Sequence, residues 1–150
     1  MLLSDHFTLE ELQVSDIALR QGIDNTPPPE VVPYLTALCV NVLEPARTLV
    51  GIYHVTSGFR CLTVNRLLGS SDNSQHPKGQ AADCIPKQMS PLEMAQAIAR
   101  SPIPFDQMIW EFRTWVHLSY DPDKTEQRRE VLTAVRGPDG KTQYLPGLVE

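Results

Sequence analysis

His76, Asp83 and His117 are the residues whose chemistry the rest of the chain has to serve. The first two lie in Ser74-Gln75-His76-Pro77-Lys78-Gly79-Gln80-Ala81-Ala82-Asp83, and the third in Trp115-Val116-His117-Leu118-Ser119-Tyr120. Two imidazoles and one carboxylate make a zinc-ligand set that leaves one coordination position for water, the pattern of a catalytic rather than a structural site. Gly79 lets the backbone bend, or approach another segment closely, between His76 and Asp83. Ala81 and Ala82 leave space beside the acid. Taken alone, His76 reads as an ordinary loop histidine, and the weight falls on the pattern around it.

The elements that must carry these residues follow from local signals. Thr8 and Glu11 form a capping box, with Phe7 and Leu12 as a hydrophobic staple, so a helix is expected from Thr8 to about Gln21, stopping at Gly22. Asp24-Asn25-Thr26-Pro27-Pro28-Pro29 is a rigid connector. Val31, Leu35, Leu38, Cys39, Val42, Ala46 and Leu49 repeat at helical spacing and predict the longest helix over 30–50, with Pro45 as an interior kink. Strands are predicted over 53–57 and 81–85, a short helix over 61–68, and a helix from Ser90-Pro91-Leu92-Glu93 to Arg100. The segments 105–112 and 114–120 read as adjacent strands joined by a tight connection. A terminal hairpin over 131–145 turns at Pro138-Asp139-Gly140.

The length of 150 residues fits one domain with a real core: a helical part over 1–50, a site-bearing part over 53–120, and a hairpin or tail over 121–150. The expected class is α+β, with helices on one side of a small, mainly antiparallel sheet and the metal on its open face. A net charge of −5 without a basic cluster argues against nucleic acid as a partner. Three cysteines in no spaced framework, Cys39, Cys61 and Cys84, read as small buried hydrophobes. Neither a signal peptide nor a membrane span is expected. The expectation is a monomer made in the cytoplasm that acts on its target after release.

The pattern Ser-x-His-x-x-Gly-x-Ala-x-Asp, here Ser74, His76, Gly79, Ala81 and Asp83, resembles the first zinc motif of the D-Ala-D-Ala metallopeptidases. That family comprises zinc carboxypeptidases, dipeptidases and phage L-alanyl-D-glutamate endolysins, and it shares its fold with the hedgehog signalling domain. Trp115, Val116 and His117 are similar to its Trp-x-His element, and Ser57, Gly58, Phe59 and Arg60 to its Ser-Gly-Tyr/Phe-Arg element. All three stand in the family's order between Val55 and Tyr120. The connector and long helix resemble those of small phage and prophage members. The resemblance implies one zinc ion on His76, Asp83 and His117, a substrate arginine at Arg60 with Ser57 and Ser74 nearby, and hydrolysis of a peptide bond in bacterial peptidoglycan.

One position departs from the family. Many members carry an acid three residues before the last zinc histidine, where this chain has Thr114, and a hydroxyl cannot serve as base near neutral pH. Glu111 is the nearest candidate, since an even separation from His117 puts both side chains on one face of a strand. The branches that resemble hedgehog also place the acid earlier. Asp106 and Asp72 are alternatives, and Glu111 could instead merely pair with Arg113. Arg60 could fork onto a substrate carboxylate or an oxyanion, or form a surface ion pair. Trp110 and Trp115 either line the cleft or pack into the core. His6 is read as exposed, and His54 as a solvated or core-edge histidine. The change at Thr114 also keeps open a zinc-containing binding module, or a virion or tail component, with little catalysis.

Overall fold

The computed structural model describes residues 1–150. In chain order its elements are α1 (Leu9–Leu12), α2 (Asp16–Gln21), α3 (Val32–Leu38), a π turn (Cys39–Leu43), α4 (Glu44–Val50), β1 (Tyr53–Ser57), α5 (Leu62–Leu67), β2 (Ala81–Pro86), α6 (Pro91–Ala99), β3 (Gln107–Glu111), β4 (Trp115–Ser119), β5 (Glu130–Arg136) and β6 (Thr142–Pro146). Short 3₁₀ turns occupy Pro29–Val31 and His76–Lys78. The class is α+β. The six strands form one sheet in the order β1-β2-β4-β3-β5-β6. Every neighbouring pair is antiparallel except β3 with β5, which is parallel.

The expected first helix is two helices. The Thr8 capping box forms, but α1 ends at Leu12 and a new N-cap at Ser15 starts α2, which Gly22 closes in the left-handed conformation. Ser15 bonds the amide of Ala18, so its side chain competes for the backbone inside the expected span and restarts the helix. The break lets the Leu12 carbonyl accept a hydrogen bond from the Phe59 amide at 2.6 Å, which ties α1 to the turn after β1.

The long helix runs as α3, the π turn and α4. Pro45 has no amide to give the carbonyl four residues back, and its ring would crowd that carbonyl. The π turn just before it widens the helix, with the Glu44 amide reaching the Cys39 carbonyl five residues back. The extra residue advances the apolar stripe by one position. Leu43 and Val50 are therefore buried, whereas Leu49, expected in the stripe, is exposed.

Strand alternation divides the sheet into two faces. Ala82 and Cys84, Met108 and Trp110, and Val116 and Leu118 point into the core with Leu35, Leu38, Val42, Leu43 and Ile98 from the helices. Helix α6 packs across β2, β3 and β4 on that side. The odd-numbered positions Asp83, Glu111, Trp115 and His117 belong to the opposite face. All three cysteines are free, with Cys39 and Cys84 buried and Cys61 half-buried. No helix is long and apolar enough to cross a membrane.

Candidate metal centre

Asp83 and His117 are direct partners across the antiparallel β2–β4 pair, so their side chains leave the same face side by side. The His117 Nδ1 lies 3.1 Å from Asp83 Oδ1. His76 comes from the 3₁₀ turn before β2. Its Nε2 lies 3.4 Å from the same carboxylate oxygen. The Nδ1 of His76 sits 2.7 Å from the Gly58 carbonyl, which can only accept, so that nitrogen carries the proton and Nε2 keeps its lone pair. Both rings are buried, with centroids 5.0 Å apart.

Two close approaches hold the turn in place. Gly79 adopts φ +71°, and a Cβ there would stand 2.5 Å from Val31 Cγ1. Gly79 therefore supplies both a left-handed residue and contact with the start of the long helix. A Cβ on Gly58 would meet the Leu12 carbonyl at 2.4 Å, so the carbonyl that orients His76 is itself packed against α1. Ser74 Oγ accepts the His76 amide at 3.2 Å. Gln75 donates to Asp106 at 3.2 Å, anchoring the turn's other side.

The donor set fits zinc. The three ligand atoms lie within 4.8 Å of one another. Tetrahedral ligands about 2.0–2.1 Å from zinc stand roughly 3.3 Å apart, close to the 3.4 Å and 3.1 Å that separate Asp83 Oδ1 from His76 and His117. Burial opposes ionisation of Asp83, yet the charges of His76 and His117 and the bonds they make outweigh it and hold the carboxyl well below the usual carboxylate range. Burial lowers the pKa of His76, favouring the neutral ring a metal needs.

Glu111 stands beside this set, with Oε1 3.7 Å from His117 Nδ1. Residues 112–114 connect β3 to β4, with the Thr114 amide bonded to the Glu111 carbonyl at 2.9 Å, and beyond them Glu111 pairs with Trp115 and Ile109 with His117. The face parity expected for a single strand thus survives the turn. Phe112 and Arg113 both take positive φ, 52° and 61°, the mark of a type I′ turn. Bulky residues adopt this conformation at a cost of about 1–3 kcal/mol each. Compensation comes from ring contacts: Phe112 lies between Trp115 and the Arg136 guanidinium, and Arg113 covers Trp110. Burial pushes the Glu111 carboxyl up to about 7, with the Asp83 charge adding to it against His117 and Arg60. Thr114 is exposed in the turn, and its hydroxyl donates to the Phe112 carbonyl at 2.9 Å.

His76, Asp83, Glu111 and His117 line one cleft of about 910 Å³ together with Arg60, Ser74 and Trp115. Arg60 makes no ion pair, and its Nε is buried without a hydrogen-bond partner. Burial lowers its pKa, while Asp83 and Glu111 act in the opposite direction. Ser57 lies opposite Asp83 in the bulged β1–β2 pairing, outside the cleft lining. Asp72 is exposed and forked by Arg66, and Asp106 is buried beneath Lys124 and Arg128; neither reaches the cleft. Trp110 is in the core. His6 is exposed and bonds Glu44 at 2.7 Å.

Two contributors carry no local sequence signal. The Asn25 side chain donates to the carbonyls of Phe59 and Gln13 and accepts the Cys61 amide, so it clasps the backbone on both sides of Arg60. Arg136, Lys141, Thr142 and Tyr144 bring the β5–β6 hairpin into the cleft wall. A model for the family Peptidase M15 matches residues 5–119. No curated protein matches the chain.

Proposed function

Since the chain belongs to the Peptidase M15 family, we propose that it is a zinc-dependent peptidase that cleaves a peptide bond in bacterial peptidoglycan stem peptides. The observation that carries this reading is the convergence of His76, Asp83 and His117 with Glu111 at 3.7 Å and an unpaired Arg60, all in one cleft. Zinc bound there would supply a Lewis acid that polarises the scissile carbonyl and lowers the pKa of the attacking water. Glu111 takes the proton of that water and returns it to the leaving amine. Burial acts to raise its pKa, the direction that suits a group which must both take up and return a proton. Arg60 binds a substrate carboxylate or the developing oxyanion, which would give its guanidinium the partner it lacks within the protein. The stem peptide, rich in carboxylates, suits such a clamp. The likeness of the connector and long helix to phage and prophage members supports a phage-encoded enzyme that acts on the wall after release or within a particle.

Digestion of purified peptidoglycan, with products identified by mass, tests the proposal. New amino termini should appear at one bond position, vanish with chelator and return with added zinc. Wall binding without cleavage by the zinc-loaded protein would replace hydrolysis with a binding role.

A further inference from the structure

The β5–β6 hairpin lies beyond residue 119, where the family match ends, yet it forms part of the same cleft wall. Apart from Asp83 and Glu111 at the centre and the two histidines, every charged residue of the lining is cationic: Arg60, Arg136 and Lys141. The chain as a whole has the opposite bias, with a net charge of −5. Arg136 and Lys141 are exposed and have no acidic partner. The Arg136 guanidinium is stacked on Phe112, 4.5 Å from the ring centroid, and so is held in place before any ligand arrives.

Register gives the spacing. Glu111 pairs with Ala134 and Ala134 with Tyr144, so the three share a row on the open face, with only a methyl group between the acid and the phenol. Arg136 is two residues further along that face, opposite Thr142. One strand across and two residues along amounts to roughly 8 Å from Glu111 at the backbone, the span of about two or three extended peptide residues.

We propose that Arg136 and Lys141, with Tyr144 beside them, form a subsite for a second carboxylate on the peptide substrate, remote from the scissile bond and distinct from any carboxylate taken by Arg60. The proposal rests on the peptidase reading above and gives its substrate a chemical class: a short peptide with at least two acidic groups. The hairpin would thereby set which peptides enter productively, through binding rather than chemistry.

The test uses the zinc-loaded full chain and the synthetic pentapeptide L-Ala-γ-D-Glu-meso-diaminopimelate-D-Ala-D-Ala, together with forms in which one carboxylate at a time is an amide. One amidation should lower kcat/KM roughly five- to tenfold through KM, because a charged hydrogen bond is lost at a partly screened site. The double variant R136Q/K141Q should cleave that acid and amide equally, so the ratio of the two rates is the readout. The wild-type preference should shrink as ionic strength rises past about 0.15 M. Equal cleavage of every form by the wild type overturns the subsite alone, as does a double variant that keeps every preference the wild type shows. No cleavage of any form overturns the peptidase reading for this substrate. In that case calorimetric binding of the same acid and amide forms still decides the subsite: the acid should bind more tightly to the wild type and equally to the double variant, and equal binding by the wild type overturns it.

Discussion

Asp83 and Asp106 are both buried carboxylates held below the ordinary carboxylate range, and their surroundings give them opposite tasks. Asp106 is enclosed by donors: Lys124 reaches both oxygens, the Arg128 guanidinium and amide cover them, and Gln75 supplies another bond. Nothing else could bind there. Asp83 meets two imidazoles, one with its free lone pair facing the acid, and the group opens onto a cleft containing an unpaired arginine and an acid of raised pKa. At Asp83 the acceptor nitrogen of His76 faces an acceptor oxygen, an arrangement a cation would satisfy. A depressed carboxyl pKa is thus common to a structural hub and a candidate metal centre, and the identity of the neighbours separates them.

Exchanging each acid for its amide should break the two regions in different ways. Asp83→Asn should abolish zinc retention, read by metal analysis, and reduce wall hydrolysis below detection. Its metal-free form should lose no more than about 1 kcal/mol in denaturant unfolding, since the two imidazole contacts are all that the carboxylate makes. Asp106→Asn should keep zinc and most activity at low temperature while losing about 2–3 kcal/mol, because Arg128 and Lys124 are left around a group that can no longer accept from all of them. That figure is held down by the partial exposure of both cations. Burial raises the Asp106 pKa, but Arg128 and Lys124 lower it further, so the folded value lies below the unfolded one. The group therefore contributes stability above its unfolded pKa of about 3.9 and loses it as pH falls below that value. Wild-type unfolding should show this acid slope, and Asp106→Asn should show less of it.

Glu111→Gln should lower kcat roughly 10²–10⁴-fold, the usual contribution of a positioned proton carrier, with zinc content unchanged. If the E111Q protein cleaved wall peptide at the native rate, Glu111 would leave the mechanism and the metal centre would still stand.

What can be read from the chain follows the same division. His76, Asp83 and His117 are recognisable as a candidate set because a metal would restrict residue type and spacing, and strand alternation carries Glu111 to their face. The Asp106 hub is not legible, because its partners lie in the loop before β5 and no periodicity joins Lys124 and Arg128 to the start of β3. Asn25 escapes for a similar reason: one side chain in a proline-rich connector bonds backbone far along the chain. The π turn is hidden because Pro45 announces a defect without saying which residue will be inserted, and so the stripe misplaces Leu49. The parallel pairing of β5 with β3 depends on the path of the crossover, which strand alternation does not encode.

The smallest expected effect bears on the position where the chain departs from its family pattern. If Thr114 contributed to catalysis in place of an acid, its hydroxyl would have to face Asp83 and His117. It instead caps the Phe112 carbonyl from the exposed side of a turn, while the cross-strand pairing hands the open face to Glu111 and Trp115. Thr114→Ala removes one exposed hydrogen bond, worth about 0.5–1 kcal/mol. The variant should melt slightly earlier and retain kcat/KM within about twofold, since surface changes away from a site rarely alter it more. A larger loss of kcat with zinc and stability intact would mean that the turn orients Glu111 through Thr114. The distinction between a residue that touches the reacting water and one that shapes the strand carrying it would then have to be redrawn within this hairpin.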